Sequence, residues 1–153
     1  MIKRKENPAK VFLLQYTALC GRVDALTRAI NDSMERAWNT GVSIKEIKVL
    51  SSPAEHDPMA RDICNAIDAT ETLYEFKSKA EKSLREILTA IDSIQDERQK
   101  YLLTLRYING LNFKDIKEKM HYEETQIFVI HGRALIGINK WLENRRNQTN
   151  EQI

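Results

Sequence analysis

Between Pro8 and Thr40 the side chains Phe12, Tyr16, Leu19, Val23, Leu26, Ile30 and Ala37 fall at alternating steps of four and three residues, with Ser33 filling the one polar slot. A period of this kind draws one continuous stripe along an α-helix. It has no counterpart on a strand, whose side chains alternate every second residue. It predicts a helix of about 30 residues, roughly 45 Å at the usual rise, with Gly41 at its C-terminal stop. A second long helix is announced by Asp57-Pro58, an N-cap acceptor followed by proline at the first helical position, where the missing N–H costs nothing. It carries Ile63, Ile67, Leu73, Tyr74, Ala80, Leu84, Ile87, Leu88, Ile91 and Ile94. The linker from Gly41 to Asp57 holds Ser43 and Glu46 at capping-box spacing, enough for one short helix. Two such helices fold back as an antiparallel hairpin. Their seam accommodates closure within one chain as well as burial of a further helix. Because its width exceeds what two helices require, a homo-oligomer formed through this region is expected.

After Ile94 the rhythm shortens. Asp96 caps a helix through about Tyr107 with Tyr101, Leu102, Leu105 and Ile108 inward, and Asn109-Gly110 ends it with residues that tolerate a left-handed backbone. Asn112 then caps a short helix through Met120 with Phe113, Ile116 and Met120 inward, and His121-Tyr122 makes the turn. The last helix starts near Glu123 or Glu124, runs to about Asn144, and turns Ile127, Ile130, Ala134, Ile138 and Trp141 inward. The expected fold class is therefore all-α: a long N-terminal hairpin over 1–94, a tri-helical helix-turn-helix over 95–146, and a disordered tail over 147–153. With 42% apolar and 30% charged residues, five Gly and three Pro, composition agrees.

Charge restricts function less than pattern does. The net charge is +2 from 24 basic and 22 acidic side chains, distributed as 7 and 4 over residues 1–40, 7 and 10 over 41–95, and 10 and 8 over 96–153. That is too small a surplus to announce nucleic acid by itself. The Lys3-Arg4-Lys5 run reads as a solvated tail. Cys20 and Cys64 sit among apolar residues at helical spacing and read as buried reduced thiols. No run resembles a signal peptide or approaches the ~20 residues of a membrane span, which gives the expectation of a cytoplasmic protein without membrane contact. His56, His121 and His131 stand outside any zinc-ligand spacing, and no phosphate loop, nucleophile elbow or isolated carboxylate pair is present. No metal, cofactor or enzymatic activity is expected.

The run LLTLRYINGLNFKDIKEKMHYEETQIFVIHGRALIGINKWL resembles conserved region four of bacterial sigma factors, in its Leu-Arg-Tyr helix, its short Asp-Ile helix and its final helix ending in Arg-Ala-Leu. Over residues 10–143 the chain is similar to small phage and prophage proteins of Gram-positive bacteria, the sigma-like transcriptional regulators of the ArpU/RinA type. The shared marks are Val49 to Pro53, Asp96-Glu97-Arg98, Leu103 to Tyr107, Tyr122, and Ile130 to Leu135. The resemblance implies that the last helix enters the major groove of double-stranded DNA in the host cytoplasm, and that the hairpin engages itself or host RNA polymerase. On that placement Glu124, Thr125, Gln126 and Val129 face base edges, while Lys114, Lys117, Arg133 and Lys140 face phosphates. Arg106 either braces the fold by an ion pair or reaches DNA.

The last helix departs from the family pattern. It opens with Glu123 and Glu124 where Ser or Thr and basic residues are usual, and Phe128-Val129 stand where polar or basic residues are common. Acidic groups suit a helix N-terminus but repel phosphate. The side away from its core carries Thr125, Val129, Gly132 and Ile136, an apolar face that predicts a covering partner. These features define the alternative, a phage adaptor that uses the helix-turn-helix fold for protein contacts. His131 is expected as a packed, hydrogen-bonded core residue.

Overall fold

The computed structural model describes residues 6–39 and 58–150. Expectations that fall elsewhere, on the Lys3-Arg4-Lys5 run, the short helix after Ser43, the Val49 to Pro53 marks and His56, lie outside the described residues. All regular structure among the described residues is helical: α1 (Pro8–Asn39), α2 (Pro58–Asp92), α3 (Glu97–Leu103, widening into a π turn over Thr104–Ile108), α4 (Phe113–Met120) and α5 (Glu124–Asn150). No described helix is long and apolar enough to cross a membrane.

The helix ends follow their capping residues. Asn7 Oδ1 accepts from the Ala9 N–H at 3.0 Å at the start of α1, and Asp96 Oδ1 accepts from the Arg98 N–H at 2.9 Å at the start of α3. The π turn leaves Asn109 donating to Thr104 O at 3.0 Å, and Gly110 then takes φ +70°, the left-handed conformation its position predicts. Asn112 Oδ1 accepts from the Asp115 N–H at 3.0 Å, and His121 ends α4 at φ 55°. α5 continues to Asn150, past the end expected near Asn144, because no Gly or Pro interrupts the polar residues beyond Glu143.

The chain divides into two compact units, one of Met1–Ala18 with Ala80–Ile153 and one of Leu19–Lys79. In the first, Ala9, Phe12 and Leu13 share a core with Ile87, Ala90, Ile91 and Ile94, and with Leu103, Tyr107, Ala134, Leu135 and Ile138. A second cluster joins Leu102 and Leu105 of α3 to Ile116 of α4 and Ile127 of α5. In the other unit, Arg22 lies 5.2 Å over the Phe76 ring and Arg36 stands 4.0 Å from Asp62, so later residues of α1 meet earlier residues of α2.

Every position of the α1 stripe, from Phe12 to Ala37, is buried or half-buried. On α2 the expected face is partly wrong. Ala66, Ser83 and Ala90 are buried, while Ile67, Tyr74 and Leu88 are exposed, because small side chains hold the inward register there. On α3, Tyr101 is exposed and Leu103 and Tyr107 turn inward instead. The cysteine expectation is corrected too: both thiols are free, but Cys64 is exposed and Cys20 only half-buried.

Candidate functional site

The α4–turn–α5 segment is fixed from below by a buried polar pair. The Tyr107 hydroxyl lies 3.0 Å from His131 Nε2, and the His131 ring meets Phe113 edge-on at 5.2 Å between centroids. Burial, then the charges of Lys10 and Arg106, push His131 down to about 4, so the ring stays neutral at physiological pH. Burial pushes the Tyr107 phenol up, against an opposing influence of Arg106. His131 is thus the packed, hydrogen-bonded residue expected. Arg106 braces the fold by other means than the ion pair anticipated. It donates to Leu111 O at 2.8 Å and lies 4.8 Å over the Phe113 ring.

Above this base, α3 and the N-terminal half of α5 enclose a cleft of about 260 Å³ lined by Arg98, Tyr122, Thr125, Gln126, Val129, Ile130 and Arg133. Val129 and Ile130 provide apolar wall, and two guanidiniums from different helices provide charge. Arg98 is held by Asp96, its Nε 3.2 Å from Oδ1 and its Nη2 3.1 Å from Oδ2. That side-chain hydrogen bond holds the Asp96 carboxyl below its ordinary value and, with a further contribution from the Tyr122 hydroxyl, raises Arg98 above its own. Arg133 makes no ion pair among the described residues. The arrangement suits an extended anionic ligand that also presents an apolar edge.

The structure brings together four of the sequence-derived candidates, Thr125, Gln126, Val129 and Arg133, in this one cleft. Gln126 is partly committed, since its Oε1 accepts from the Glu123 N–H at 3.2 Å to cap α5, leaving its amide nitrogen as the free group. Glu124 is exposed on the first turn of α5 and lies outside the cleft lining. Lys114 is exposed at the start of α4, and Lys117 Nζ lies 3.7 Å from Glu123 Oε2, an exposed pair of small energetic weight. Lys140 lines a separate groove with Asp96, Gln99 and Trp141. Sequence reasoning missed Arg98 and Tyr122 as lining residues, and the only signal for them was their place among the family marks.

Among the described residues no group of three or more His, Cys, Asp or Glu side chains is placed to hold a metal ion. Comparison of the chain with protein-family models, with curated proteins and with solved structures finds no match.

Proposed function

We propose that the chain is a phage-encoded, DNA-binding transcriptional regulator of the sigma-like type, acting by promoter binding and recruitment of host RNA polymerase in the bacterial cytoplasm. In this reading residues 95–146 form a helix-turn-helix with α5 as the helix that enters the major groove. Residues 1–94 form an antiparallel helical hairpin that self-associates or docks polymerase. The observation that carries it is the cleft at the start of α5, where Arg98 and Arg133 flank Thr125, Gln126 and Val129. The Arg133 guanidinium offers phosphate a fixed fork of donors, whereas the Nε and Nη2 of Arg98 are held by Asp96. A threonine hydroxyl, the free Gln126 amide nitrogen and a valine methyl suit base edges, a thymine methyl among them. In this reading Glu124 accepts from a cytosine amino group, and Lys114, Lys117 and Lys140 contact phosphates.

A second reading is favoured by the exposure of Phe128, Val129 and Ile136 on α5 together with the acidic Glu123 and Glu124. It is a phage adaptor that uses the same fold for protein contacts alone. Fluorescence anisotropy of labelled duplex DNA across a salt series separates the two. The regulator predicts affinity that falls linearly on logarithmic axes as salt rises. The adaptor predicts no binding even at the lowest salt.

A further inference from the structure

Two uncovered helix faces of this chain, one in each compact unit, are complementary to each other. On α5, Val129 and Ile136 stand at i and i+7, 51% and 58% exposed, with Arg133 between them at i+4. On α2, Ile67 and Tyr74 stand at i and i+7, 56% and 67% exposed, with Glu71 between them at i+4. The spacing is the same and the sign of the central charge is opposite. Neither Arg133 nor Glu71 makes an ion pair among the described residues. Gly132, beside Arg133, has nothing within 4 Å of where a Cβ would stand, so no contact among the described residues explains a glycine in the middle of α5, whereas a closely approaching helix would.

We propose that α5 of one copy lies antiparallel along α2 of a second copy, with Val129 against the partner's Tyr74, Arg133 against the partner's Glu71, and Ile136 against the partner's Ile67. Pairing either face with itself about its centre sets Arg133 against Arg133, or Glu71 against Glu71, which like charges disfavour. The contact joins unlike faces, so it closes reciprocally between two copies or continues from copy to copy as a ring or an open chain. Two helical turns form a small interface, so association belongs in the range of tens of micromolar as an order of magnitude. A seated partner also covers Thr125, Val129 and Arg133, and closes the face assigned to DNA. That consequence alone rests on the DNA-binding reading.

Sedimentation velocity of the full chain without DNA, from about 5 to about 200 µM, tests the contact independently of DNA binding. The mass is expected to rise with concentration. Arg133→Glu and Glu71→Arg should each move the rise to concentrations at least about tenfold higher. Mixing the two variants should restore it, since each then offers the other a matched pair at both ends. Gly132→Leu should weaken association without lowering the melting temperature, and circular dichroism of all variants verifies that they are folded. A monomer across the whole range, or single variants that associate like the parent, or a mixture that fails to recover, overturns the proposal. If association behaves as expected and the parent chain binds no duplex DNA at any salt, the DNA-binding reading falls and the contact stands.

Discussion

At the scale of single residues, His131 ties fold stability to pH. In the native state it titrates at about 4, against an ordinary value of 6.5. The unfolded chain binds the proton first, so His131 contributes its stabilisation fully above pH 6.5 and loses it as pH falls from there towards 4. The amount is about 3 kcal/mol as an order of magnitude. Urea midpoints measured at pH 7 and pH 4.5 should differ strongly in the parent chain and much less in His131→Leu. Arg106→Ala should cost about 1–2 kcal/mol, through the donor lost to Leu111 O and the stacking lost on Phe113, read as a drop in melting temperature. The two glycines bracketing this region should respond with opposite signs. Gly110→Ala places a Cβ at φ +70° and should cost about 1–2 kcal/mol, whereas Gly132→Ala sits in open helix and should stabilise by about 1 kcal/mol. Equal melting shifts for the two would contradict both assignments.

At the scale of elements, the helices differ in how legible they are from sequence. The α1 stripe reads directly because large side chains mark it, and each of its positions is covered to some degree. On α2 the inward register holds Ala66, Ser83 and Ala90 beside the expected Leu73, Ala80, Ile87 and Ile91, and because a hydrophobicity pattern weighs such small residues lightly, Ile67, Tyr74 and Leu88 draw the eye to a face that is exposed. Capping signals at Asp96, Asn112 and Gly110 place the short helices because each satisfies a specific backbone group at a helix end. The π turn at Thr104–Ile108 has no local signature in the sequence; it rotates Tyr107 into the core, where its hydroxyl meets His131. The cleft was half legible. Thr125, Gln126, Val129 and Arg133 lie on one helix at helical spacing, while Arg98 arrives only through the packing of α3 on α5. On α5 itself, Val129→Lys and Ile136→Lys should each leave stability within about 0.5 kcal/mol of the parent, as exposed positions do. Val129→Lys should change DNA affinity, and both variants should change the mass in solution. Two folded variants unaltered in both readouts would leave this face without either role.

At the scale of the whole molecule, the first unit depends on two stretches of sequence separated by Leu19–Lys79. Asn139 Oδ1 accepts from the Ala9 N–H at 2.9 Å, and Asn139 Nδ2 donates to Asn7 Oδ1 at 3.1 Å, so a side chain of α5 helps to cap α1. Asn139→Ala should lower stability by about 1 kcal/mol, the usual worth of a lost cap, in thermal unfolding followed by circular dichroism. Removing residues 1–13 takes Ala9, Phe12 and Leu13 from the core and should cost several kcal/mol, at about 1.5–3 kcal/mol for each large side chain. This arrangement also sets a timetable for synthesis. Ala9, Phe12 and Leu13 leave the ribosome before Leu19–Lys79, and the Ala134, Leu135 and Ile138 that complete their core leave after it. With Leu19–Lys79 inserted between the two halves, the growing polypeptide carries an unfinished apolar surface until α5 is released to close it.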